Sequence, residues 1–329
     1  MRDEYILDRL MQGGTVSGET LSEEMGISRA AVWKGILRLR EDGWQIDAAP
    51  RVGYQLISDE DGIMPMDIYP GLRTERYGRK IEYHREVNST NARAREKAQQ
   101  GEPDGTLVIG ERQTAGRGRL NRSWESPAGS GIYMSLIMRP QLPLQRLALV
   151  TPAVALGVCR GLRSSCGINA RIKWPNDIVC SGRKLVGMLL DAQASTGMDG
   201  VEWVVAGIGI NVHQREQDFP DEVRAKASSL DMLTGLKCRR ADIIRAVLCE
   251  IENAVGMLTS GEDAEMMEQY AALSATLGRR VCVITSDKSY EAIALRLQSD
   301  GALVVQPDGA AEHPVYAGDV SVRGIMGYV

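Results

Sequence analysis

The sequence predicts an α+β protein in three parts: an N-terminal winged helix-turn-helix over residues 1–62, a mixed α/β domain over 63–272 and a small C-terminal β-barrel over 273–329. Three observations support this prediction. With 329 residues, the chain exceeds the size at which a single hydrophobic core usually stops growing. Its first 60 residues show apolar positions at helical spacing between helix-ending glycines. After about residue 275, short apolar segments alternate with Asp-Gly and Asp-Lys turns, which is typical of β-strands.

Three short helices account for the first part. Apolar residues recur at helical spacing between residues 6 and 11, before a Gly-Gly break. A second helix is expected from about Glu19 to Met25, where Gly26 ends it, and a third from its capping residue Ser28 to about Asp42. The alternating stretch from Trp44 to Ile57 predicts a two-stranded wing.

The acidic stretch from Asp59 to Pro70, which contains Gly and Pro, has the composition of a linker. Beyond it, apolar segments predict strands that alternate with helices. These strands cover Thr106–Gly110, Ile132–Met138, Ile172–Cys180, Leu185–Leu190 and Val201–Val212, and the helices cover Asn91–Gln100, Leu147–Leu162 and Ala241–Leu258. The barrel strands are predicted at Arg280–Ile284, Tyr290–Gln298, Ala302–Gln306 and Val315–Val322.

Composition excludes several classes of protein. With 43% hydrophobic and 25% charged residues, the chain has the balance of a soluble globular protein. A net charge of −4 argues against a uniformly basic nucleic-acid coat protein, so contact with nucleic acid requires a local patch. The six cysteines lack CxxC spacing, and the N-terminus lacks an uninterrupted apolar segment. The longest apolar run, Leu147–Cys159, is shorter than the ~20 residues that span a bilayer. We therefore expect a cytoplasmic protein without membrane contact.

The third predicted helix carries a local basic patch. Residues 28–40 include Arg29, Lys34 and Arg38 and no acid. Such a helix can neutralise phosphates while its neighbours read base edges in the major groove. A solvated basic helix in a protein-interaction domain explains the helix alone equally well. The wing that follows, with Arg51 in it, favours DNA, and Trp33 is expected to pack on the domain rather than contact DNA.

A glycine- and arginine-rich loop follows the strand Thr106–Gly110. Residues 113–124 read QTAGRGRLNRSW, and no acid occurs from 112 to 122. Glycines let backbone N–H groups approach a phosphate, and guanidinium groups offer forked donors to its oxygens. A short basic run is more often a solvated turn, and neither a Walker motif nor an intact GxGxxG occurs in the chain. If a nucleotide binds here, it binds by another mode.

Two segments separated by a short turn bring charged residues together. The sequence Lys173-Trp174-Pro175-Asn176-Asp177 precedes a Ser-Gly-Arg-Lys turn that places Lys184 at the start of an apolar strand. A hairpin would join them, and a lysine in this position suits binding of a carboxylate or phosphate. For Asn176 or Asp177 alone, a role as a turn former after proline is a strong alternative.

Two further motifs are weak on their own. Gly207 and Gly209 lie two apart in a predicted strand that ends at Asn211, which marks either close approach of a ligand or a bulge. The run Ser89-Thr90-Asn91 precedes a helix, where Ser or Thr is most often only an N-cap. Helix N-termini also bind polar ligand atoms.

Taken together, these motifs resemble the biotin protein ligases. Ser89-Thr90-Asn91, the GRGR loop with Gln113 and Trp124, KWPND, GRKLVG and GIGIN occur in that order over much of the chain. With the N-terminal helix-turn-helix, the resemblance is to the bifunctional members that also repress biotin operon genes. It implies a central domain of the biotin/lipoate ligase type and an SH3-like C-terminal barrel. One departure is that Leu120 and Asn121 stand where the family usually has a basic residue and a glycine.

The resemblance implies a role for each matched residue. Those assigned to biotin are Ser89, Thr90, Asn91, Gln113, Arg117, Gly118, Arg119 and Lys184. Those assigned to ATP are Arg119, Lys173, Asn176 and Asn211, and those assigned to catalysis are Lys184, Arg117 and Arg119. Ser28, Arg29, Lys34, Arg38 and Arg51 are assigned to DNA.

The resemblance also implies the reaction and its partners. Biotin and ATP with Mg²⁺ form bound biotinyl-5′-AMP, and biotin then passes to a lysine on the carrier domain of acetyl-CoA carboxylase or a similar carboxylase. The adenylate acts as corepressor of a homodimer that binds operator DNA. Two alternatives remain open: a ligand-responsive transcription factor with decayed ligase activity, and a lipoate-type ligase.

Overall fold

The computed structural model divides the chain into two units, residues 1–72 and 73–329. It describes residues 2–49, 52–195, 200–285, 288–317 and 321–324. The side chains of residues 2, 121 and 321–324 are outside this description.

The first unit is a helix-turn-helix followed by a hairpin. Its elements are α1 (Arg2–Met11), α2 (Gly18–Met25), α3 (Arg29–Glu41), β1 (Ile46–Ala49), β2 (Gly53–Leu56) and α4 (Pro65–Ile68). Ser28 Oγ accepts a hydrogen bond from the Ala31 backbone N at 3.2 Å and caps α3. Gly26 ends α2 with a φ of 59°, a conformation that glycine adopts readily. Ile6, Leu21 and Ile36 form part of the buried core.

The segment predicted as a linker, Asp59–Pro70, is folded instead. Ile63 and Ile68 are fully buried, and α4 lies within the segment. The Asp67 carboxylate accepts hydrogen bonds from Ser58 Oγ and the Met64 backbone N, both at 2.8 Å. Asp67 and Pro65, which contributed to the linker prediction, therefore form a helix start, and burial of the isoleucines holds the segment in place.

The second unit contains a seven-stranded sheet. Its strands are β3 (Lys80–His84), β4 (Thr106–Gly110), β5 (Gly131–Met138), β6 (Arg171–Lys173), β7 (Asp177–Cys180), β8 (Arg183–Ala194) and β9 (Val201–Asn211), in the order β3-β4-β5-β9-β8-β7-β6. Only the β3–β4 pair among these is parallel. The single strand predicted over Ile172–Cys180 is wrong: the Trp174-Pro175-Asn176 turn divides it into β6 and β7, which pair as a hairpin.

Helices complete the second unit. They are α5 (Thr90–Gln99), α6 (Val150–Cys166), α7 (Asp221–Arg224), α8 (Leu230–Thr234), α9 (Arg240–Ser260) and α10 (Asp263–Ala272). Helices α6 and α9 touch closely, since a Cβ added at Gly157 would lie 2.5 Å from Ile251 Cα. The helical stretch Leu144–Cys166 is 23 residues long and apolar enough to span a membrane. It is longer than the apolar run Leu147–Cys159 found in the sequence. However, 67% of its apolar window is buried inside the protein. It is a core helix by its packing.

The C-terminal strands form a five-stranded antiparallel sheet. They are β10 (Arg280–Ile284), β11 (Ser289–Leu297), β12 (Leu303–Pro307), β13 (His313–Val315) and β14 (Ser321–Gly324), in the order β13-β12-β11-β10-β14. The single strand predicted over Val315–Val322 is wrong, because β13 ends at Val315 and β14 pairs at the opposite edge of the sheet. The predicted fold class is confirmed as a helix-turn-helix, a mixed α/β domain and an antiparallel C-terminal sheet domain, while closure of that sheet into a barrel stays a prediction.

A charged cluster joins the edge strand β3 to α5. The Glu82 carboxylate pairs with His84 Nε2 at 2.8 Å, Arg93 Nε at 2.6 Å and Lys97 Nζ at 3.0 Å. Burial alone raises the pKa of Glu82, but hydrogen bonds from these three residues outweigh it and lower the pKa to about 2 from 4.5.

This cluster predicts acid sensitivity of the second unit. A carboxylate whose pKa is depressed by folding stabilises the protein above its unfolded pKa, near 4.5, and loses that contribution as the pH falls towards about 2. We expect Glu82→Gln to flatten this part of the pH dependence of urea denaturation, by on the order of 1 kcal/mol after solvent screening. Glu96→Gln, at the exposed end of the same cluster, is the control. Equal pH profiles for Glu82→Gln and the wild type would contradict the assignment.

Candidate functional site

One cavity of about 860 Å³ in the second unit gathers the residues that were predicted to bind ligands there. Its lining includes Ser89, Thr90, Asn91, Gln113, Arg117, Gly118, Arg119, Lys173, Asn176, Lys184 and Asn211. The motifs are thus brought together in space although they span more than a hundred residues of sequence. The volume lies in the range of small-molecule sites.

Polar groups with both donors and acceptors occupy one part of the wall. Gln113 Oε1 accepts hydrogen bonds from the Thr90 backbone N at 2.9 Å and from Thr90 Oγ1 at 3.1 Å. Gln113 Nε2 donates to Ser126 Oγ at 2.9 Å, and the buried Ser135 Oγ donates to Thr90 Oγ1 at 2.9 Å. Such a network fixes the side chains before a ligand arrives. Ser89 is the N-cap of α5 and also lines the cavity.

Asn91 has a fixed orientation that the sequence did not reveal. Its Nδ2 donates to Asp191 Oδ2 at 2.8 Å, and its Oδ1 lies 3.1 Å from Ser135 Oγ. A Cβ on Gly207 would overlap Asn91 Oδ1, which explains the glycine at this strand position. Ser135 and Asp191 are therefore positioning residues that sequence analysis missed.

An aromatic side chain lies across two paired glycines. Gly187 of β8 and Gly209 of β9 are opposite one another, and a Cβ on either would come within 2.7 Å of the Trp124 indole. The Lys184 Nζ atom is 5.5 Å from the centre of a Trp124 ring, within range of a cation–π interaction. The glycines in these strands thus mark close approach of the indole.

The cationic groups converge on the same cavity. Lys184 Nζ is 2.7 Å from Asp177 Oδ1, so the predicted hairpin does join the two segments. Arg119 Nη1 donates to Asn176 Oδ1 at 3.1 Å, and Nη2 donates to the Ala317 carbonyl. Burial is the main reason that the pKa of Arg119 is lowered, and Asp177 acts in the opposite direction. A partly desolvated guanidinium of this kind interacts strongly with an incoming anion.

The GRGR loop closes on itself. Gly118 N donates to the Arg122 carbonyl at 2.8 Å, and Trp124 N donates to the Gly116 carbonyl at 3.0 Å. Residues Arg119–Asn121 form a 3₁₀ turn in which Leu120 has a φ of 56° and is 66% exposed. A left-handed conformation costs a leucine roughly 1 kcal/mol. Arg117, two residues before this turn, is exposed.

Two asparagines and a buried lysine line another part of the cavity. Asn176 Nδ2 donates to the Met188 carbonyl at 2.5 Å, and Asn211 Nδ2 donates to the Ser228 carbonyl at 3.0 Å. The amides are therefore held at fixed angles. Lys173 is only 5% exposed. The turn that carries Asn176 is anchored by Trp174 Nε1, which donates to the Gly301 carbonyl at 3.1 Å.

A partly buried ion pair holds both ends of the segment that carries Gln113 and the loop. Arg240 Nη1, in a residue that is 5% exposed, contacts Glu111 Oε1 at 2.7 Å and the Gly131 carbonyl at 3.2 Å. Glu111 Oε1 also accepts from Gly129 N at 2.8 Å. Sequence analysis missed this pair because its members are 129 residues apart.

The predicted DNA-contacting residues have different surroundings in the first unit. Arg29 and Lys34 are exposed on α3, whereas Arg38 is held by Asp3 through two hydrogen bonds of 2.7 Å. Ser28 caps the helix. Arg51 lies outside the described residues. The expectation that Trp33 packs on the domain is wrong, because its side chain is 52% exposed.

Comparison with known proteins agrees with this geometry. Family models match at residues 2–55 (HTH domain), 83–211 (Biotin/lipoate A/B protein ligase family) and 276–323 (Biotin protein ligase C terminal domain). The chain is 36% identical to the "Bifunctional ligase/repressor BirA" of Bacillus subtilis over 96% of this chain and 97% of the relative. The protein of that name in Escherichia coli is 29% identical over 97% and 96%. The solved structure "Biotin protein ligase from Aquifex aeolicus in complex with biotin and ATP" has a TM-score of 0.63 and 27% identity, covering 75% of this chain and 99% of the other.

Proposed function

The chain belongs to the family of bifunctional ligase/repressors named BirA, and on that premise we propose that it is a biotin protein ligase that also represses transcription of biotin genes. The observation that carries the proposal is one cavity whose lining combines Thr90 and Gln113 with the cations Arg117, Arg119 and Lys184. The polar side chains suit binding of biotin, and the cations suit its reaction with ATP. Residues of the GRGR loop line the same cavity.

The polar wall suits the ureido ring of biotin. That ring has one carbonyl acceptor and two N–H donors, and Thr90, Gln113 and Ser89 supply complementary groups. Asn91, held by Asp191, completes this wall. The Trp124 indole over the glycine pair offers apolar surface nearby. We assign Asn176 and Asn211 to the adenine ring and Lys173 to the nucleotide.

The cations suit the first chemical step. A biotin carboxylate oxygen attacks the α-phosphorus of ATP, the bond to the pyrophosphate oxygen breaks, and biotinyl-5′-AMP and pyrophosphate form. Both reactants are anions, so Lys184, Arg117 and Arg119 offset their repulsion and stabilise the charge of the transition state. In the second step, the ε-amine of a lysine on the carrier domain of acetyl-CoA carboxylase or a similar carboxylase attacks the acyl carbon and displaces AMP.

The nucleotide is expected to enter with Mg²⁺. Among the described residues, no three His, Cys, Asp or Glu side chains gather to hold a metal ion. Mg²⁺ is commonly bound through substrate phosphates with one or two carboxylates, and Asp177 lines the cavity beside the cations. When bound, the ion neutralises phosphate charge.

Regulation follows from ligand binding in the same chain. We propose that biotinyl-5′-AMP favours a homodimer in the cytoplasm, with residues 1–62 binding operator half-sites, 63–272 carrying the ligase site and 273–329 forming a barrel. Dimeric helix-turn-helix proteins bind half-sites about one helical turn apart. The GRGR loop, with Leu120 and Asn121 at its turn, would order over the adenylate and retain it.

Purified chain incubated with biotin, ATP and Mg²⁺ should release pyrophosphate and then label an added carrier domain with biotin. A parallel incubation with lipoate in place of biotin tests the lipoate-type alternative, and an incubation with both acids tests whether they compete for one site. Binding of biotin without pyrophosphate release would favour a transcription factor with decayed ligase activity. Absence of both binding and release would refute the proposal.

Repression depends on the exposed cations of α3. We expect Arg29→Ala combined with Lys34→Ala to weaken binding of the dimer to operator DNA and to reduce the slope of log affinity against log salt by about 4, because each side chain would neutralise one phosphate in each of the two protomers. Arg38→Ala is the comparison, since Asp3 already holds that guanidinium, and it should alter the slope less. Ligation should stay at the wild-type rate in all of them. An unchanged salt slope in the double variant would move DNA binding away from α3.

A further inference from the structure

A tryptophan is exposed at the middle of α3. Trp33 is 52% exposed, and its helical neighbours Arg29, Ala30 and Lys34 are exposed with it. On the same helix, the neighbouring Val32 and Ile36 are completely buried. Trp33 thus lies outside the core.

The surroundings of the indole indicate what covers it. Residues 28–40 contain no acidic side chain, and Arg29 and Lys34 lie one turn before and directly after Trp33. Ala30 adds only a methyl group to the exposed apolar surface. A helix face that docks in a protein groove presents several large apolar anchors at i, i+3, i+4 and i+7. One aromatic ring between cations is complementary instead to a polyanion with a small apolar group in its groove.

Duplex DNA offers one such group. In the major groove, the 5-methyl of thymine is the apolar feature that distinguishes a base, while phosphates flank the groove on both sides. On the basis of the proposed operator binding, we propose that Trp33 is a specificity-determining residue that contacts a thymine 5-methyl group. Arg29 and Lys34 contact the flanking phosphates and add affinity without sequence preference.

The test distinguishes a base-specific contact of Trp33 from sequence-independent attraction between the protein and the DNA phosphates. The full chain, with biotin, ATP and Mg²⁺, selects its preferred sites from a random duplex library, and affinity is measured on the selected duplex and on a scrambled one. Each thymine of the selected duplex is then replaced singly by uracil, which lacks only the methyl group. The proteins are the wild type, Trp33→Ala, Trp33→Phe and the control Tyr5→Ala, which removes an exposed aromatic ring from α1. Circular dichroism checks that each variant is folded.

We expect Trp33→Ala to lose on the order of tenfold in affinity for the selected duplex, with little change on the scrambled duplex and an unchanged salt slope. At least one uracil replacement should weaken wild-type binding and leave Trp33→Ala unaffected, with Trp33→Phe between them. Tyr5→Ala should match the wild type. The proposal is overturned if Trp33→Ala binds the selected duplex as tightly as the wild type does, or if its affinity falls equally for the selected and the scrambled duplex. It is also overturned if every uracil replacement lowers the affinity of the wild type and of Trp33→Ala by the same factor. A wild type that selects no sequence would overturn the proposed repressor function as well.

Discussion

Lys184→Ala is expected to lower the rate of adenylate formation by about 10²- to 10³-fold, the usual effect of removing one preorganised charge from a transition state. Its ammonium lies 2.7 Å from Asp177 and faces the cavity beside Arg119. With Arg117 and Arg119, Lys184 is proposed to offset the repulsion between the two reacting anions, the carboxylate and ATP. Its loss therefore removes stabilisation where their charges meet. The measurement is pyrophosphate release with saturating biotin and ATP.

Two comparisons make this result specific. Lys80→Ala also breaks a lysine–carboxylate pair, with Glu102, but lies on β3 outside the cavity and should keep wild-type turnover. Transfer from supplied biotinyl-5′-AMP should fall less than adenylation in Lys184→Ala, because the biotin carboxylate is already activated as a mixed anhydride with AMP. Lys184→Gln keeps a hydrogen-bond donor beside Asp177 without the positive charge, and tests whether loss of that donor has merely unfolded the site. Turnover within about twofold of the wild type would refute the role of Lys184.

The features that sequence analysis predicts best are those that depend on residues adjacent in the chain. The strands Thr106–Gly110 and Arg280–Ile284 have the predicted bounds, and Ser28 caps α3 as expected. Local spacing determines strand and helix signals, so they can be read without the rest of the chain. The linker prediction for residues 59–70 was wrong for a related reason. Composition suggests a linker, but the burial of Ile63 and Ile68 depends on tertiary contacts that local sequence does not show.

The candidate site was predicted as a set of motifs and not as a geometry. Thr90, Gln113, Arg119 and Lys184 each carry recognisable chemistry, and the cavity contains all of them. The residues that orient them were missed. Asp191 acts on Asn91 from 100 residues away, and lone acidic residues carry no local signal of such a contact. Likewise the sequence shows that Gly209 is unusual, while only the fold shows that an indole lies against it.

The glycine pair leads to the second large effect. We expect Gly209→Val to reduce adenylation by on the order of 10²-fold, because a displacement of about 1 Å at a reacting group can cost that much. A Cβ at Gly209 would lie 2.6 Å from Trp124 Cε2 and Nε1, closer than real Cβ contacts allow. The indole must therefore move, and Lys184, 5.5 Å from its ring, loses its neighbour. Both KM for biotin and kcat should change.

A matched glycine and a compensating variant separate this steric effect from a general loss of stability. Gly256→Val in α9 adds the same side chain at a position with no neighbour within 4 Å, so activity should be retained. Trp124→Ala removes the clash, and adding Gly209→Val to it should cost much less than adding Gly209→Val to the wild type. This non-additivity is the signature of two residues in contact. If Gly209→Val costs the same with and without the indole, the strand itself is distorted and the interpretation of Trp124 as the group that requires glycine here is wrong.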